Sequence, residues 1–177
     1  SQSKDLVLEG VRIVGSGDDG VQCGERTIVR ACAASGNFNY GFRTGSYSVI
    51  VDSTATENTT WSGFTAGTGT TLRGCTAHDN GHAGFSLGAY STVENCTADS
   101  NGNHGFDTGN GTTINNSTAS QNGVDGIHAA RPGPIAGCIA RSNTRPGTHP
   151  ATAPPTTAPH PSHHTAHSHR TGADPAQ

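Results

Sequence analysis

The sequence is short of the residues that most soluble folds use to build a core. Of its 177 residues only 31% are apolar and 5% aromatic, and methionine is absent. A helical bundle or a doubly wound α/β domain needs a larger apolar share, so both classes are excluded. No apolar run is long enough to span a membrane as a helix, so we expect no membrane span.

Charge and paired cysteines are scarce as well. Charged residues make up 13% of the chain and the formal net charge is −3. A nucleic-acid partner would need a basic face, so none is expected. The five cysteines include no Cys-x-x-Cys pair, so neither a zinc knuckle nor a regular disulfide set is predicted.

What the sequence has instead is a repeat of about 21 residues. The segments that begin at Leu72, Val93 and Ile114 superpose, and each continues into a Thr-Ala pair. The same phase runs in both directions, with one extra residue between positions 53 and 75. A single unit of this length cannot bury its apolar face, whereas stacked units can, because each pairs its strands with the coils above and below.

Several columns of the repeat are predicted to point inward or to mark corners. One is aliphatic, one is small, one is aromatic, and one is an asparagine column expected to hydrogen-bond amide to amide. The aliphatic column is Leu8, Val29, Ile50, Leu72, Val93, Ile114 and Ile135; the small column is Val11, Cys32, Ser53, Cys75, Cys96, Ser117 and Cys138. The aromatic column is Phe42, Phe64, Phe85 and Phe106; the asparagines are Asn37, Asn58, Asn80, Asn101, Asn122 and Asn143.

This pattern resembles the right-handed parallel β-helix of the pectate-lyase-like superfamily, including its asparagine ladder. The resemblance covers residues 6 to about 143 and implies an all-β, single-stranded parallel β-helix of about seven coils over residues 1–143. It also implies a secreted or cell-surface protein that binds or processes polysaccharide. The superfamily includes lyases, glycoside hydrolases and epimerases as well as phage tailspikes and adhesins, so the fold alone does not fix an activity.

Residues 144–177 do not continue the repeat. They are rich in Pro, Thr, Ala and His and contain no Ile, Leu, Val or aromatic residue, so this segment is predicted to be a disordered tail. Its histidines are compatible with weak metal binding or with a polar linker. Neither end of the repeat shows a cap, so we expect further β-helix coils in a longer parent chain.

The candidate site is the outward side of the Gly-Phe segment, where Asp, His, Arg, Tyr and Trp occur together. We predict His104, Asp107, Asp125 and His128 as catalytic acid–base residues, because they lie on adjacent coils. Substrate binding is assigned to a second set: Arg43, Tyr40, Trp61 and His82. The alternative is that these are ordinary polar residues of a solvated strand face.

No metal ligand set or cofactor is predicted, although the resemblance implies calcium, which lyases of this superfamily use. Asp107 lies four coils away from Asp18 and Asp19, so these carboxylates do not form a calcium repeat. If the chain is an enzyme, the expected class is a polysaccharide lyase, glycoside hydrolase or epimerase. The competing hypothesis is a non-catalytic spacer, adhesin or tailspike-like rod, which the regularity of the columns favours.

Overall fold

The computed structural model describes the backbone of residues 4–150 and the side chains of residues 4–145. These residues form 21 short strands and no helix. None of the described residues forms a helix that could cross a membrane.

The strands assemble into three parallel sheets of seven strands each, and every coil contributes one strand to each sheet. The first sheet contains β1 (Val7–Glu9), β4 (Ile28–Arg30), β7 (Val49–Val51), β10 (Thr71–Arg73), β13 (Thr92–Glu94), β16 (Thr113–Asn115) and β19 (Ile135–Ala136). The second contains β2 (Arg12–Val14), β5 (Ala33–Ser35), β8 (Thr54–Thr56), β11 (Thr76–His78), β14 (Thr97–Asp99), β17 (Thr118–Ser120) and β20 (Ile139–Arg141). The third contains β3 (Val21–Gln22), β6 (Phe42–Thr44), β9 (Phe64–Ala66), β12 (Phe85–Leu87), β15 (Phe106–Thr108), β18 (Asp125–Ala129) and β21 (Arg145–Pro150). The predicted all-β parallel β-helix with 21-residue coils is therefore confirmed.

Sharp corners separate these short strands. Between the first and second sheets, one residue per coil adopts a positive φ, which glycine, asparagine and aspartate tolerate better than most residues. The column is Gly10, Ala31, Asp52, Gly74, Asn95, Asn116 and Gly137. This local conformation turns the chain from one sheet into the next and fixes where each strand ends.

The core consists of like residues stacked on like. The rings of Phe42, Phe64, Phe85 and Phe106 stack at centroid distances of 4.9 to 5.0 Å and are fully buried. The predicted aliphatic column is buried from Val29 to Ile114. At the N-terminal coil the packing is incomplete, and Val11, predicted to point inward, is 37% exposed.

The asparagine ladder runs through six coils. Each side-chain amide from Asn37 to Asn122 donates to the Oδ1 of the next asparagine at 2.7 to 3.0 Å, and the last acceptor is Asn143. The backbone N–H of each donor residue also bonds to that oxygen. The ladder satisfies polar groups that would otherwise be buried without partners.

Two departures interrupt the 21-residue register within residues 4–150. The first is the extra residue, which lies between Asn58 and Phe64, because Asn37 matches Asn58 at a separation of 21 whereas Phe42 pairs with Phe64. The second is a bulge where β21 pairs with β18, between Asp125 and Ile127. Both lie on the third sheet or in the turn that precedes it.

The third sheet also continues past the domain boundary predicted at residue 143, because the six-residue strand β21 pairs with β18. Residues 151–177 of the predicted tail, with most of its histidines, lie outside the described residues.

The asparagine ladder gives a direct stability prediction. Replacing Asn80 by alanine removes the amide that donates to Asn101 and to the carbonyl of Ala55. It also leaves the Asn58 donors without their acceptor. We expect a loss of about 2–4 kcal/mol, from two or more unsatisfied buried groups. The measurement is the urea midpoint, with Asn115→Ala on the outward side of β16 as the control, where the change stays within about 0.5 kcal/mol. Equal midpoints for the two variants would contradict the role of the ladder.

Candidate functional site

The four residues predicted as catalytic lie together on the outward side of the third sheet. Asp107 and His128 are register partners on β15 and β18, Asp125 begins β18, and His104 lies in the turn before β15. We call these four residues the acid–base cluster. Parallel stacking brings the side chains together, although they come from two different coils.

Contacts join the cluster into one chain. The His128 Nδ1 lies 2.9 Å from Asp107 Oδ1, and the His128 ring stacks on His104 with centroids 4.5 Å apart. His104 Nδ1 accepts the backbone N–H of Asp125 at 3.3 Å and lies at the same distance from Asp125 Oδ2. The backbone hydrogen bond assigns the proton of the neutral ring to Nε2. Burial lowers the pKa of His104 below its usual value, and the adjacent His128 ring lowers it further.

Arg145, the first residue of β21, joins this cluster and was missed in the sequence because it lies in the segment assigned to the tail. Its Nε lies 3.2 Å from Asp125 Oδ1 and its Nη2 donates to Oδ2 at 3.3 Å. The Asp125 side chain is fully buried. A buried carboxylate requires a cation or hydrogen-bond donors, and that requirement was the available signal for a partner one coil further along.

The four residues assigned to substrate binding also form a continuous group, which we call the aromatic cluster. The Tyr40 and Trp61 rings stack with centroids 5.7 Å apart, and the His82 ring lies 5.9 Å from Trp61. The Arg43 guanidinium carbon lies 5.6 Å from the centre of the Tyr40 ring. Trp61 is 43% exposed, so an indole surface faces solvent next to the Tyr40 ring that Arg43 contacts.

Polar contacts hold the aromatic cluster in place and extend it toward the acid–base cluster. The Asn103 amide donates to His82 Nε2 at 2.9 Å, which leaves His82 Nδ1 to donate to Ser62 Oγ at 3.4 Å. At the other end Arg43 Nη1 lies 3.7 Å from Asp19, whose side chain is nearly buried. Asn103 and Asp19 are two further residues of this face that sequence reasoning did not assign.

The two clusters occupy consecutive coils, from Tyr40 and Arg43 through Trp61 and His82 to His104 and His128. With neighbouring strands about 4.8 Å apart, the strip extends roughly 20 Å along the rod. The eight predicted residues therefore lie on one continuous surface, which we call the third-sheet face.

The carboxylates of this face do not fit a calcium site. Asp125 is held by Arg145 and Asp107 by His128, while Asp19 faces Arg43. Among the described residues, no group of three or more His, Cys, Asp or Glu side chains could hold a metal ion. No step of the chemistry below is assigned to a metal.

Comparison with known proteins identifies the family. The profile of the right-handed beta helix region matches residues 1–152. The chain belongs to this family. The predicted right-handed parallel β-helix is thus confirmed, with a fold like that of a pectate lyase. No curated protein matches the chain.

Two solved structures resemble the β-helix. The pectate lyase Pel9A aligns with a TM-score of 0.61 and 20% identity, over 80% of this chain and 54% of that one. The A-module of the mannuronan C-5 epimerase AlgE4 from Azotobacter vinelandii aligns with a TM-score of 0.56 and 16% identity, over 82% and 59%. At these identities the likeness concerns the fold, and the chain spans little more than half the length of either protein.

The lowered pKa of His104 predicts how stability depends on pH. The unfolded chain binds this proton more readily than the folded chain, so folding is favoured above the unfolded pKa of about 6.5. Stability falls as the pH drops below that value toward the folded pKa. We expect His104→Gln, which cannot titrate, to show a smaller fall in the urea midpoint between about pH 7.5 and about pH 5. Identical pH profiles for the two proteins would contradict burial of a neutral His104.

Proposed function

We propose that the chain binds a polyuronate along the third-sheet face and moves protons on it at the acid–base cluster. The observation that carries the proposal is the coincidence of the two register breaks with the two clusters. The extra residue lies in the turn that carries Trp61, and the β18–β21 bulge lies at Asp125. Bulges and insertions redirect side chains and occur preferentially beside functional sites.

The aromatic cluster supplies the features that recognise a charged sugar. The exposed Trp61 ring offers an apolar surface for the C–H face of a pyranose ring. Arg43, with a side chain 48% exposed, lies over the Tyr40 ring that stacks on Trp61, and it can bind a carboxylate through the guanidinium nitrogens that Asp19 leaves open. A neutral glycan would use the rings but gain nothing from the cation.

The acid–base cluster offers two complementary imidazoles. Asp107 accepts from His128 Nδ1, so Nε2 of a neutral His128 presents a lone pair and acts as the base, in the manner of an Asp–His dyad. His104, bound at Nδ1 by a backbone N–H, presents an N–H at Nε2 and acts as the donor. The two imidazoles stack with centroids 4.5 Å apart, so a charge on the His128 ring disfavours a proton on His104.

The similar solved structures support this class of substrate by analogy. The one is named a pectate lyase and the other a mannuronan C-5 epimerase, so both are named for polyuronates. Action on such chains outside the cell would place this protein on the surface or in the secreted fraction.

Binding is tested by the fluorescence of Trp61, the single tryptophan of the chain. Oligogalacturonate or oligomannuronate should change its emission, and Arg43→Gln should weaken their affinity about tenfold, as for loss of one charge-assisted contact. Arg73→Gln, on the first sheet and equally exposed, is the matched control and should leave the affinity unchanged. Equal weakening by both variants would mean only general electrostatic attraction.

Proton transfer is tested by turnover of the same oligosaccharides. His128→Gln and Asp107→Asn should lower the rate by about 10² to 10⁴ while Trp61 still reports binding. If the wild-type protein binds polyuronate without turning it over, it is a binding protein and the catalytic part of the proposal is wrong.

The second candidate function is a structural spacer, and one observation favours it. Apart from the two breaks, every strand pairing within residues 4–150 keeps the same register along all three sheets. A rod of this kind can simply separate its ends. The absence of binding to any polyuronate would favour the spacer.

A further inference from the structure

A second surface of the rod has chemistry of a different kind. Each coil turns from the third sheet to the first through a short corner loop, and four consecutive loops carry no charged residue. They are residues 45–48, 67–70, 88–91 and 109–112, with sequences Gly-Ser-Tyr-Ser, Gly-Thr-Gly-Thr, Gly-Ala-Tyr-Ser and Gly-Asn-Gly-Thr. The third-sheet face, by contrast, carries arginine, aspartate and histidine.

Tyrosine alternates with glycine at the third position of these loops. Tyr47 is followed one coil later by Gly69, and Tyr90 by Gly111. The two tyrosine side chains are among the most exposed large side chains of the described residues, at 64% and 71%. Among the described residues, neither tyrosine ring belongs to the core or to the third-sheet face.

Each glycine makes room for the preceding tyrosine ring. A Cβ at Gly69 would lie 2.9 Å from Cδ1 of Tyr47, and a Cβ at Gly111 would lie 2.8 Å from Cδ1 of Tyr90. Each ring therefore lies along the rod, beside the next coil, with most of its surface in solvent. A side chain in place of either glycine would lift the ring out of this position.

The loops beneath the rings are rigid. A hydroxyl at the fourth loop position donates to the carbonyl of the first: Ser48 to Gly45, Thr70 to Gly67 and Ser91 to Gly88, at 2.9 to 3.0 Å. The loops also stack tightly, since a Cβ at Gly88 or Gly109 would lie 2.6 Å from a backbone nitrogen of the coil before. Rings held on such a base lose little conformational entropy when a ligand binds.

We propose that Tyr47 and Tyr90 form a binding platform for an extended neutral glycan of β-1,4-linked pyranoses. Two coils separate the rings, which is about 10 Å at the strand spacing and matches the length of two sugar residues in such a chain. In a two-fold β-1,4-linked ribbon, every second residue turns the same C–H face to one side. The alternation of tyrosine and glycine has the same period, so each ring meets an equivalent face.

The absence of charge around the rings selects the class of ligand. Between Tyr47 and Tyr90 the corner offers hydroxyl and backbone groups, which suit sugar hydroxyls but not a carboxylate. The platform is therefore distinct from the polyuronate site. Failure of either proposal leaves the other unaffected.

The test is calorimetric titration of the full chain with cellohexaose, with maltohexaose as the α-linked, coiled comparison. Cellohexaose should bind and maltohexaose should not. The double variant Tyr47→Ala, Tyr90→Ala should lose at least about tenfold in affinity, from two stacking contacts. Tyr47→Phe with Tyr90→Phe should retain most of it, because the rings remain.

Two further variants locate the site. Gly69→Asn, which tolerates the positive φ, should weaken cellohexaose binding by displacing the Tyr47 ring, with an unchanged urea midpoint showing that the rod is folded. Phe38→Ala, at an exposed aromatic residue that belongs to neither surface, should leave it unchanged. The platform is overturned if cellohexaose does not bind, or if Phe38→Ala weakens binding as much as the tyrosine variant does. In the same tyrosine variant, Trp61 fluorescence measures polyuronate binding independently of cellohexaose binding.

Discussion

Stacking at the strand spacing is the constraint on which the rest of this structure depends. A parallel pairing between coils places each side chain directly against its equivalent one coil away, so every column must be compatible with itself. Aliphatic and phenyl columns meet this condition by packing. The asparagine column meets it because an amide is both donor and acceptor, and one amide can pass a hydrogen bond to the next through buried corners.

The same constraint shapes the outward columns, where like charges cannot stack. Charged side chains therefore alternate in sign along a column, as Asp5 with Arg26 and Arg73 with Glu94 do. The acid–base cluster follows this rule, since Asp107 meets His128 one coil away. An ion pair between coils thus needs no functional explanation by itself. The cluster differs from the other pairs by its burial, its stacked imidazoles and the bulge beside it.

The period of the sequence was sufficient to predict the fold, because each column repeats a strong local preference at a fixed separation. The same reasoning placed eight site residues on one face. It missed Arg145, because a segment rich in Pro, Thr and His ends the apolar columns before the third sheet ends. It also missed the buried hydroxyl column that includes Ser48, Thr70 and Ser91. In the sequence these residues resemble surface polar residues, and only the folded corner buries them. The extra residue could be counted from the sequence, but only strand pairing places it at the Trp61 turn.

Burial of Asp125 with Arg145 bears on the choice between a rod and a functional site. Removing a carboxylate from water is costly, and a buried ion pair is commonly no more stabilising than apolar residues of similar volume. The equivalent positions of earlier coils are Asp19, Tyr40, Ser62, Ala83 and His104, and the small neutral Ser62 and Ala83 are both buried there. The stack therefore does not require a charge at this position. Burial lowers the pKa of His104 and so keeps the ring neutral, while the Asp125 backbone N–H orients it beside His128; proton transfer requires this arrangement and a spacer does not.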